Sequence, residues 1–129
     1  MENQKYYFAM YIDVDQSYNL DNIEKDFGFE PTYIRMAKQY TNHTITEHLI
    51  EFRTPLQDNS SPQEHFTSFL KEKIVPIAPK IKKYASENEV CEVYFCIVFN
   101  NDKIDNQGLG LEAEAIKILA DLGASWYID

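Results

Sequence analysis

The stretch Phe27-Gly28-Phe29-Glu30-Pro31-Thr32 has the sequence of a helix exit, and it organises the first part of the chain. Gly28 lacks a Cβ and can adopt the left-handed conformation that ends a helix. Phe29 can then fold back onto the last helical turn, and Pro31 prevents the helix from resuming. Because Asn19 is a typical N-cap residue, a short helix is predicted between Asn19 and Gly28.

Aromatic and β-branched residues on both sides of this helix predict strands. Residues 5–12 are dense in such side chains on both alternating faces, so both faces are expected to be covered and an interior strand is predicted. Residues 44–53 alternate cleanly and predict another strand, whereas residues 32–40 fit either a short strand or an ordered loop. Residues 92–99 form the most apolar run and predict a strand in the centre of the sheet, and residues 125–128 predict a short closing strand.

A second helix is predicted from Ser61-Pro62-Gln63-Glu64, a capping box with proline at the first helical position. Its apolar face is formed by Phe66, Phe69, Leu70 and Ile74. Pro76 and Pro79 lack the backbone N–H that a continuous helix needs, so we expect the helix to be split. A third helix is predicted over residues 111–122, after a polar turn at residues 100–110, because its apolar residues repeat at helical spacing and Gly123 follows.

These elements predict one α+β domain over residues 1–129. Their order favours a two-layer sandwich with a four- or five-stranded, mostly antiparallel sheet and about three helices on one or both faces. With 129 residues, 44% of them hydrophobic, the chain can bury one core and is too short for two ordinary domains. No apolar run approaches the roughly 20 residues of a membrane-spanning helix, and residues 1–7 are too polar to begin a signal peptide, so a cytoplasmic protein is expected.

The two cysteines, Cys91 and Cys96, lie in the same apolar run. In an extended strand, side chains at this spacing point to opposite faces and cannot form a disulfide. Cys91 and Cys96 are therefore expected to be buried thiols in a reducing compartment.

The net charge of −9 argues against nucleic acid or an anionic membrane as a partner, since both bind through basic surfaces. The charge is unevenly distributed, because residues 31–86 are net positive and the segments before and after them are net negative. Most of the bases of residues 31–86 lie in the predicted second helix, at Lys71, Lys73, Lys80, Lys82 and Lys83. Such a helix can serve solubility alone, whereas the acidic remainder can also steer a basic partner toward the protein.

Three stretches that together span nearly the whole chain carry a family resemblance. They are the aromatic first strand with Asp13-Val14-Asp15, the Leu20-Asp21-x-Ile23 helix with its exit at residues 27–32, and the closing Leu119-Ala120-x-Leu122-Gly123-Ala124. On these stretches the chain resembles domain-of-unknown-function family 4279, an uncharacterised bacterial family. Its members usually follow the proline with a short basic segment containing glycine; here Arg35 and Lys38 are present and the glycine is absent. Small acidic domains of this kind look like immunity proteins that neutralise secreted bacterial toxins, by analogy of size, charge and class.

The turn after the first strand partly matches a calcium-binding loop. Positions 1, 3, 5, 7, 9 and 12 of the EF-hand pattern are filled by Asp13, Asp15, Ser17, Asn19, Asp21 and Glu24. Tyr18, however, occupies the position that requires glycine, and an aromatic strand precedes the loop where a helix should enter. Acids in a first helical turn also have the simpler role of favouring the helix dipole. No metal and no cofactor are therefore expected, and a small-molecule or metal-binding domain remains the alternative function.

No combination of residues predicts catalysis. His43, His48 and His65 lack the spacing of a zinc site and are expected at the surface or partly buried. Serine-hydrolase, Walker and dinucleotide-binding fingerprints do not occur, and Gly108-Leu109-Gly110 is interpreted as a flexible helix entry. The sequence therefore predicts a protein that is not an enzyme.

The expected function is that of a non-enzymatic binding protein, most concretely an immunity protein that neutralises a bacterial toxin through an acidic surface. The residues expected to contact the partner are Asp13, Asp15, Asp26, Glu30, Tyr33, Arg35, Lys38 and Tyr40. The partner would be a protein such as a basic toxin domain, and the other tyrosines are expected mostly in the core. A monomer or a weak homodimer is expected, with pairing between subunits through an edge strand at residues 44–53 or 125–129.

Overall fold

A computed structural model describes residues 5–39, 41–58, 61–99 and 110–128. Its strands are β1 (Lys5–Asp15), β2 (Tyr33–Arg35), β3 (Lys38–Gln39), β4 (Thr44–Ile45), β5 (Glu47–Arg53), β6 (Gln57–Asp58), β7 (Cys91–Phe99) and β8 (Ser125–Ile128). The main sheet has the order β2-β5-β1-β7-β8, and β6 pairs with the start of β1 beyond the end of β5. Only β7 and β8 run parallel within this sheet, while β3 and β4 form a separate two-stranded ribbon. The predicted α+β architecture with a mostly antiparallel sheet is confirmed.

The first helix forms where its capping signals place it. A 3-10 turn at Leu20–Asn22 leads into α1 (Ile23–Phe27), and the side-chain oxygen of Asn19 accepts a 3.0 Å hydrogen bond from the backbone N–H of Asp21. The helix ends at Gly28, which has a φ of 84° and donates a 2.9 Å hydrogen bond to the carbonyl of Glu24. This left-handed C-cap confirms the predicted helix exit.

The prolines split the second helix as predicted. It consists of α2 (Pro62–Phe69), a π-helical turn at Leu70–Ile74, a 3-10 turn at Val75–Ile77 and α3 (Ala78–Glu87). Pro76 and Pro79 each lie in the first turn of the segment that follows a break, where a missing N–H costs no helical hydrogen bond. Ser61 lies at the N-cap of α2, although its side chain does not make the predicted capping hydrogen bond. The last helix, α4 (Ala113–Leu122), ends at Gly123 with a φ of 68°.

The four helices cover one face of the main sheet. The core cluster takes its strand residues from that face alone: Tyr6, Phe8, Met10, Ile12, Val14, Ile50, Val93, Phe95 and Ile97. Buried apolar residues of α1, α2, α3 and α4 belong to the same cluster. The ring centroids of Phe8 in β1 and Phe66 in α2, for example, are 5.2 Å apart. Ala9 and Cys96 are also buried, but they lie on the opposite face and outside the cluster. The result is a two-layer sandwich with helices on a single side.

Three expectations about the strands are corrected. Helices cover one face of β1 and not both, because its second face carries tyrosines and acids that do not enter the core cluster. Residues 44–53 form two strands, β4 and β5, where one was expected, and β5 is not an edge because it lies between β1 and β2. β1, rather than β7, occupies the middle of the strand order, although β7 is also interior.

The ambiguous residues 32–40 contain the short strands β2 and β3. The polar turn predicted at residues 100–110 lies outside the described residues apart from Gly110.

Among the helices of the described residues, none combines the length and the apolar character that crossing a membrane requires. The cysteines point to opposite faces of β7, since Cys91 is paired with Val14 and Cys96 with Ala9. The two side chains therefore do not form a disulfide with each other, as predicted; Cys96 is buried as expected, whereas Cys91 is only partly buried.

Candidate functional site on the open sheet face

The side of the main sheet that faces away from the helices, here named the open face, collects most of the polar and aromatic side chains of the strands. The alternation of the strands and their register place these residues on it: Tyr7, Ala9, Tyr11, Asp13, Asp15, Tyr33, Arg35, Glu47, Leu49, Glu51, Arg53, Glu92, Tyr94, Cys96, Val98, Ser125 and Tyr127. Because alternate residues of a strand point to opposite faces, the same pairing that builds the core also assembles this surface.

A row of tyrosines crosses the middle of the open face. The rings of Tyr11 and Tyr94 stack with centroids 5.2 Å apart, and the ring of Tyr127 stacks on Tyr94 at 6.0 Å. Tyr127 remains 44% exposed and Tyr33, on the outer strand β2, is 56% exposed. Burial raises the pKa of Tyr11 and of Tyr94 well above the ordinary value, so both hydroxyls remain protonated and can donate hydrogen bonds.

A partly buried ion pair lies beside the tyrosines. Glu51 is 3% exposed; its Oε2 accepts a 3.2 Å hydrogen bond from Nη2 of Arg53, and its Oε1 lies 2.6 Å from Nε in a salt bridge. The same guanidinium lies 4.5 Å from the centroid of the Tyr7 ring. Hydrogen bonding to Glu51 raises the pKa of Arg53, so its positive charge is permanent. The contacts hold Arg53 in one orientation with part of its side chain at the surface.

Carboxylates face each other at one end of the open face. Asp13 is directly opposite Glu92 of β7, and Asp15 is directly opposite Glu47 of β5. We name these four residues the acidic end. Burial, followed by the charges of Glu47 and Glu92, raises the pKa of Asp13, while the nearby Arg35 and a hydrogen bond from Tyr94 oppose the shift. Like charges directly opposite each other destabilise a sheet, so both pairs act against folding.

Asp15 is kept ionised by the turn that follows β1. Its carboxylate Oδ2 accepts hydrogen bonds from the hydroxyl and from the backbone N–H of Ser17, the latter at 3.0 Å. These hydrogen bonds lower the pKa of Asp15. Asp15 therefore keeps its negative charge at neutral pH, at the point where β1 leaves the sheet.

His48 fixes the segment that carries the residues of β2 and β3. Its Nδ1 accepts a 2.8 Å hydrogen bond from the backbone N–H of Ala37, and its Nε2 lies 3.0 Å from the carbonyl oxygen of Gln16. A backbone N–H can only donate and a carbonyl can only accept, so the ring is neutral with its proton on Nε2. His48 is 6% exposed, and it was expected to be less buried than this.

The structure brings four of the eight predicted partner-binding residues onto one surface. Asp13, Asp15, Tyr33 and Arg35 all lie on the open face. Asp26 lies on the helical side, in α1, where it accepts a 2.8 Å hydrogen bond from the Tyr18 hydroxyl.

The other predicted residues are scattered or not described. Glu30 is exposed between α1 and β2, Lys38 is exposed in β3, and Tyr40 lies outside the described residues. Sequence reasoning missed further open-face residues, namely Tyr7, Tyr11, Glu47, Glu92, Tyr94 and Tyr127. A signal for them exists, because along β1 one alternating set includes Tyr7, Tyr11 and Asp13 while the other is almost purely apolar.

In the turn after β1 that partly matches a calcium-binding loop, the polar side chains make local contacts. Asp15 bonds to Ser17, and the side chain of Asn19 caps the following helical turn. In the part of the chain that the structure describes, no three His, Cys, Asp or Glu side chains are placed together to hold a metal ion. The open face thus offers paired carboxylates, oriented guanidinium groups and tyrosine rings, which suit recognition of another polar surface.

The comparisons with known proteins give one positive result. A family model described as "Domain of unknown function (DUF4279)" matches residues 4–129, which is nearly the whole chain. No curated protein and no solved structure is significantly similar to the chain. The family match agrees with the resemblance carried by the first strand, the first helix and its exit, and the closing stretch, and the chain belongs to the DUF4279 family.

Proposed function

We propose that this protein is a non-enzymatic, cytoplasmic binding domain that uses the open face to dock a basic protein surface, most concretely an immunity protein that neutralises a bacterial toxin. The single observation that carries the proposal is the acidic end, where Asp13 is opposite Glu92 and Asp15 is opposite Glu47. Like charges directly opposite each other on neighbouring strands destabilise the folded state. A partner that inserts lysine or arginine side chains between these carboxylates would remove the repulsion, and the carboxylates would attract its positive charges.

The tyrosines supply the second part of the proposed interface. Tyrosine and arginine are the residue types most often responsible for the binding energy of protein interfaces, and both are present on the open face. Tyr33 and Tyr127 are exposed at its two sides, and Arg53 is already held in place by Glu51. Prior ordering of such side chains reduces the entropy that is lost on binding. The partner is therefore proposed to contact the tyrosine row while its basic residues meet the acidic end.

The net charge of −9 supports a protein partner over nucleic acid or a membrane surface. It also favours fast association with a basic toxin through long-range attraction. The domain is proposed to act as a monomer or a weak homodimer.

The proposal is tested by comparing two variants with the same change of net charge. In the open-face variant, Asp13→Asn, Asp15→Asn, Glu47→Gln and Glu92→Gln neutralise the acidic end. In the control variant, Glu64→Gln, Glu72→Gln, Glu87→Gln and Glu89→Gln neutralise four exposed acids that lie in or directly after α2 and α3. Each tagged protein is used to capture partners from a lysate of its source bacterium.

The wild type and the control are expected to capture the same basic protein, and the open-face variant is expected to lose it. The captured protein is then purified, its association rate with each variant is measured at two salt concentrations, and its toxicity is assayed with and without the wild type. Equal capture by all three proteins would contradict docking through the acidic end. A captured partner whose toxicity is unaffected by stoichiometric wild type would reject the immunity role and leave the binding site established.

A further inference from the structure

A groove of about 720 Å³ runs between α3 and α4, on the helical side of the molecule and away from the open face. Its floor is apolar and is formed by Val75, Ala78, Pro79, Ile118 and Leu122. Val75 is 45% exposed there, although it follows the buried Ile74. A concave, largely apolar groove of this size with a few polar groups at its rim matches the usual character of small-molecule sites.

The rim of the groove is basic. Lys82, Lys83 and Lys117 line it together with one acid, Asp121. Lys82 Nζ contacts both carboxylate oxygens of Asp121, at 3.1 and 3.2 Å, so the charge of that acid is already neutralised. No ion pair of Lys83 or Lys117 is found within the described ranges. The groove therefore brings three lysines and one acid to its rim, in a chain whose net charge is −9.

We propose that this groove binds a small amphiphilic carboxylate, a free molecule with an apolar body and one anionic head. The apolar body would cover Val75, Ile118 and Leu122, and the carboxylate would lie between Lys83 and Lys117. A cation of the same shape would meet these lysines with like charge, and a neutral molecule would leave them without a counter-charge.

The ion pair between Lys82 and Asp121 argues for a small molecule over a peptide helix. It joins α3 to α4 across the groove through an N–O distance of 3.1 Å. A helix with its side chains is about 10–12 Å in diameter and would have to displace this contact to enter. An alkyl chain is much thinner than a helix, and its proposed place is beside the ion pair.

The test uses three soluble probes below their micelle-forming concentrations: dodecanoate, dodecyltrimethylammonium and acetate. Binding is followed by NMR through the methyl resonances of Val75, Ile118 and Leu122. Dodecanoate is expected to bind saturably and to shift these methyl groups. Dodecyltrimethylammonium lacks the anionic head and acetate lacks the apolar body, so both are expected to leave the methyl resonances unchanged.

Two pairs of charge reversals complete the experiment. Lys83→Glu with Lys117→Glu is expected to weaken dodecanoate binding by about tenfold, since two favourable ion contacts become unfavourable. Lys73→Glu with Lys80→Glu makes the same change of net charge outside the groove and is expected to have little effect. Circular dichroism establishes that both variants are folded.

The proposal is overturned if dodecanoate fails to saturate, if the cation binds equally well, or if both double variants bind alike. An acidic amphipathic peptide that shifts the same methyl groups while dodecanoate does not would assign the groove to a protein partner instead. None of these outcomes depends on the open face, so the two proposals stand or fall separately.

Discussion

The backbone N–H of Ala37 donates a 2.8 Å hydrogen bond to Nδ1 of the buried His48, which joins the segment after β2 to the interior strand β5. Nε2 of the same ring bonds the carbonyl of Gln16, in the turn after β1. One side chain thus satisfies backbone groups of two separate connections. The short strand β2, with Tyr33 and Arg35, has its position secured by this ring as well as by its pairing with β5.

Replacement of His48 is expected to release both connections. His48→Leu removes the acceptor and the donor, and we expect it to lower the free energy of unfolding by about 1–3 kcal/mol, since buried polar groups lose their partners. His48→Asn places an oxygen near the position of Nδ1 and is expected to retain part of the stability. Urea unfolding measures the stabilities, and hydrogen exchange at the Ala37 amide reports the local bond. Equal losses for the two variants would show that the ring is held by packing alone.

The two glycines of the described residues that have a left-handed backbone conformation, Gly28 and Gly123, are predicted to differ in their tolerance of alanine. Gly28 has a φ of 84°, and a Cβ there would lie 2.9 Å from Cγ2 of Ile77. Gly123 has a φ of 68° and no heavy atom within 4 Å of such a Cβ. Gly123→Ala is expected to cost about 1–2 kcal/mol from the backbone alone, and Gly28→Ala is expected to cost more because of the added collision. Thermal unfolding of both variants measures the difference, and equal costs would argue against the close approach of Ile77.

Asp13→Asn is expected to stabilise the protein at neutral pH. The pKa of Asp13 is raised in the folded state from 3.8, first by burial and then by Glu47 and Glu92. Folding therefore loses stability as the pH rises through this raised pKa, because the unfolded chain ionises more readily. Because solvent screens this partly exposed carboxylate, the gain from Asp13→Asn should be only a few tenths of a kcal/mol, roughly, at pH 7, and it should vanish below pH 3.8.

A double-mutant cycle checks the source of this gain. Glu92→Gln is expected to have the same sign, and the double variant should gain less than the sum of the two single changes, since one repulsion cannot be removed twice. Strict additivity would show that burial of Asp13, and not its pairing with Glu92, determines the effect.

Cys91 is expected to react slowly with alkylating reagents in the native protein. Burial, with a smaller contribution from Asp13, raises its pKa from 9.0 to about 11. At pH 8 the reactive thiolate is then about 100-fold scarcer than for an unperturbed thiol. Iodoacetamide labelling followed by mass spectrometry should be at least this much slower at Cys91 in the folded than in the urea-unfolded protein, and slower still at Cys96.

The same shift predicts an alkaline limit to stability. The folded state holds the Cys91 proton more tightly than the unfolded state. The thiol's contribution to the free energy of unfolding is therefore complete below pH 9.0 and is lost as the pH rises toward 11. Cys91→Ser should therefore reduce the slope of stability against pH in this range. An unchanged slope would assign the alkaline loss to the tyrosines.

The elements with local signals were predictable from the sequence. The exit at Gly28, the proline-split second helix and the apolar stripe of α4 all depend on residues close together in the chain. Strand alternation also carries a signal for the two faces of β1, although both faces were expected to be covered. The order of the strands has no such local signal, because it depends on which apolar faces meet after the helices have packed. For that reason β5 was mistaken for an edge.

The candidate site was only partly predictable for a related reason. Asp13 and Asp15 were recognised as candidates, but Glu92 is far away in the sequence, and its place opposite Asp13 follows from strand register alone. The tyrosines were assigned to the core because their spacing matches that of buried residues. Tyrosine carries a hydroxyl that phenylalanine lacks, and a face rich in Tyr7, Tyr11 and Asp13 indicates contact with water more than with helices.

The central position of β1 affects how the protein folds while it is being synthesised. β1 leaves the ribosome before both of its neighbours, β5 and β7, and Tyr6 cannot meet its partner Phe99 until most of the described chain has been translated. Synthesis proceeds at about 5–20 residues per second, so the aromatic side chains of β1 remain without both neighbouring strands for several seconds. The sheet is therefore completed late in synthesis, and a nascent chain that stalls before β7 would expose the residues that later form its core.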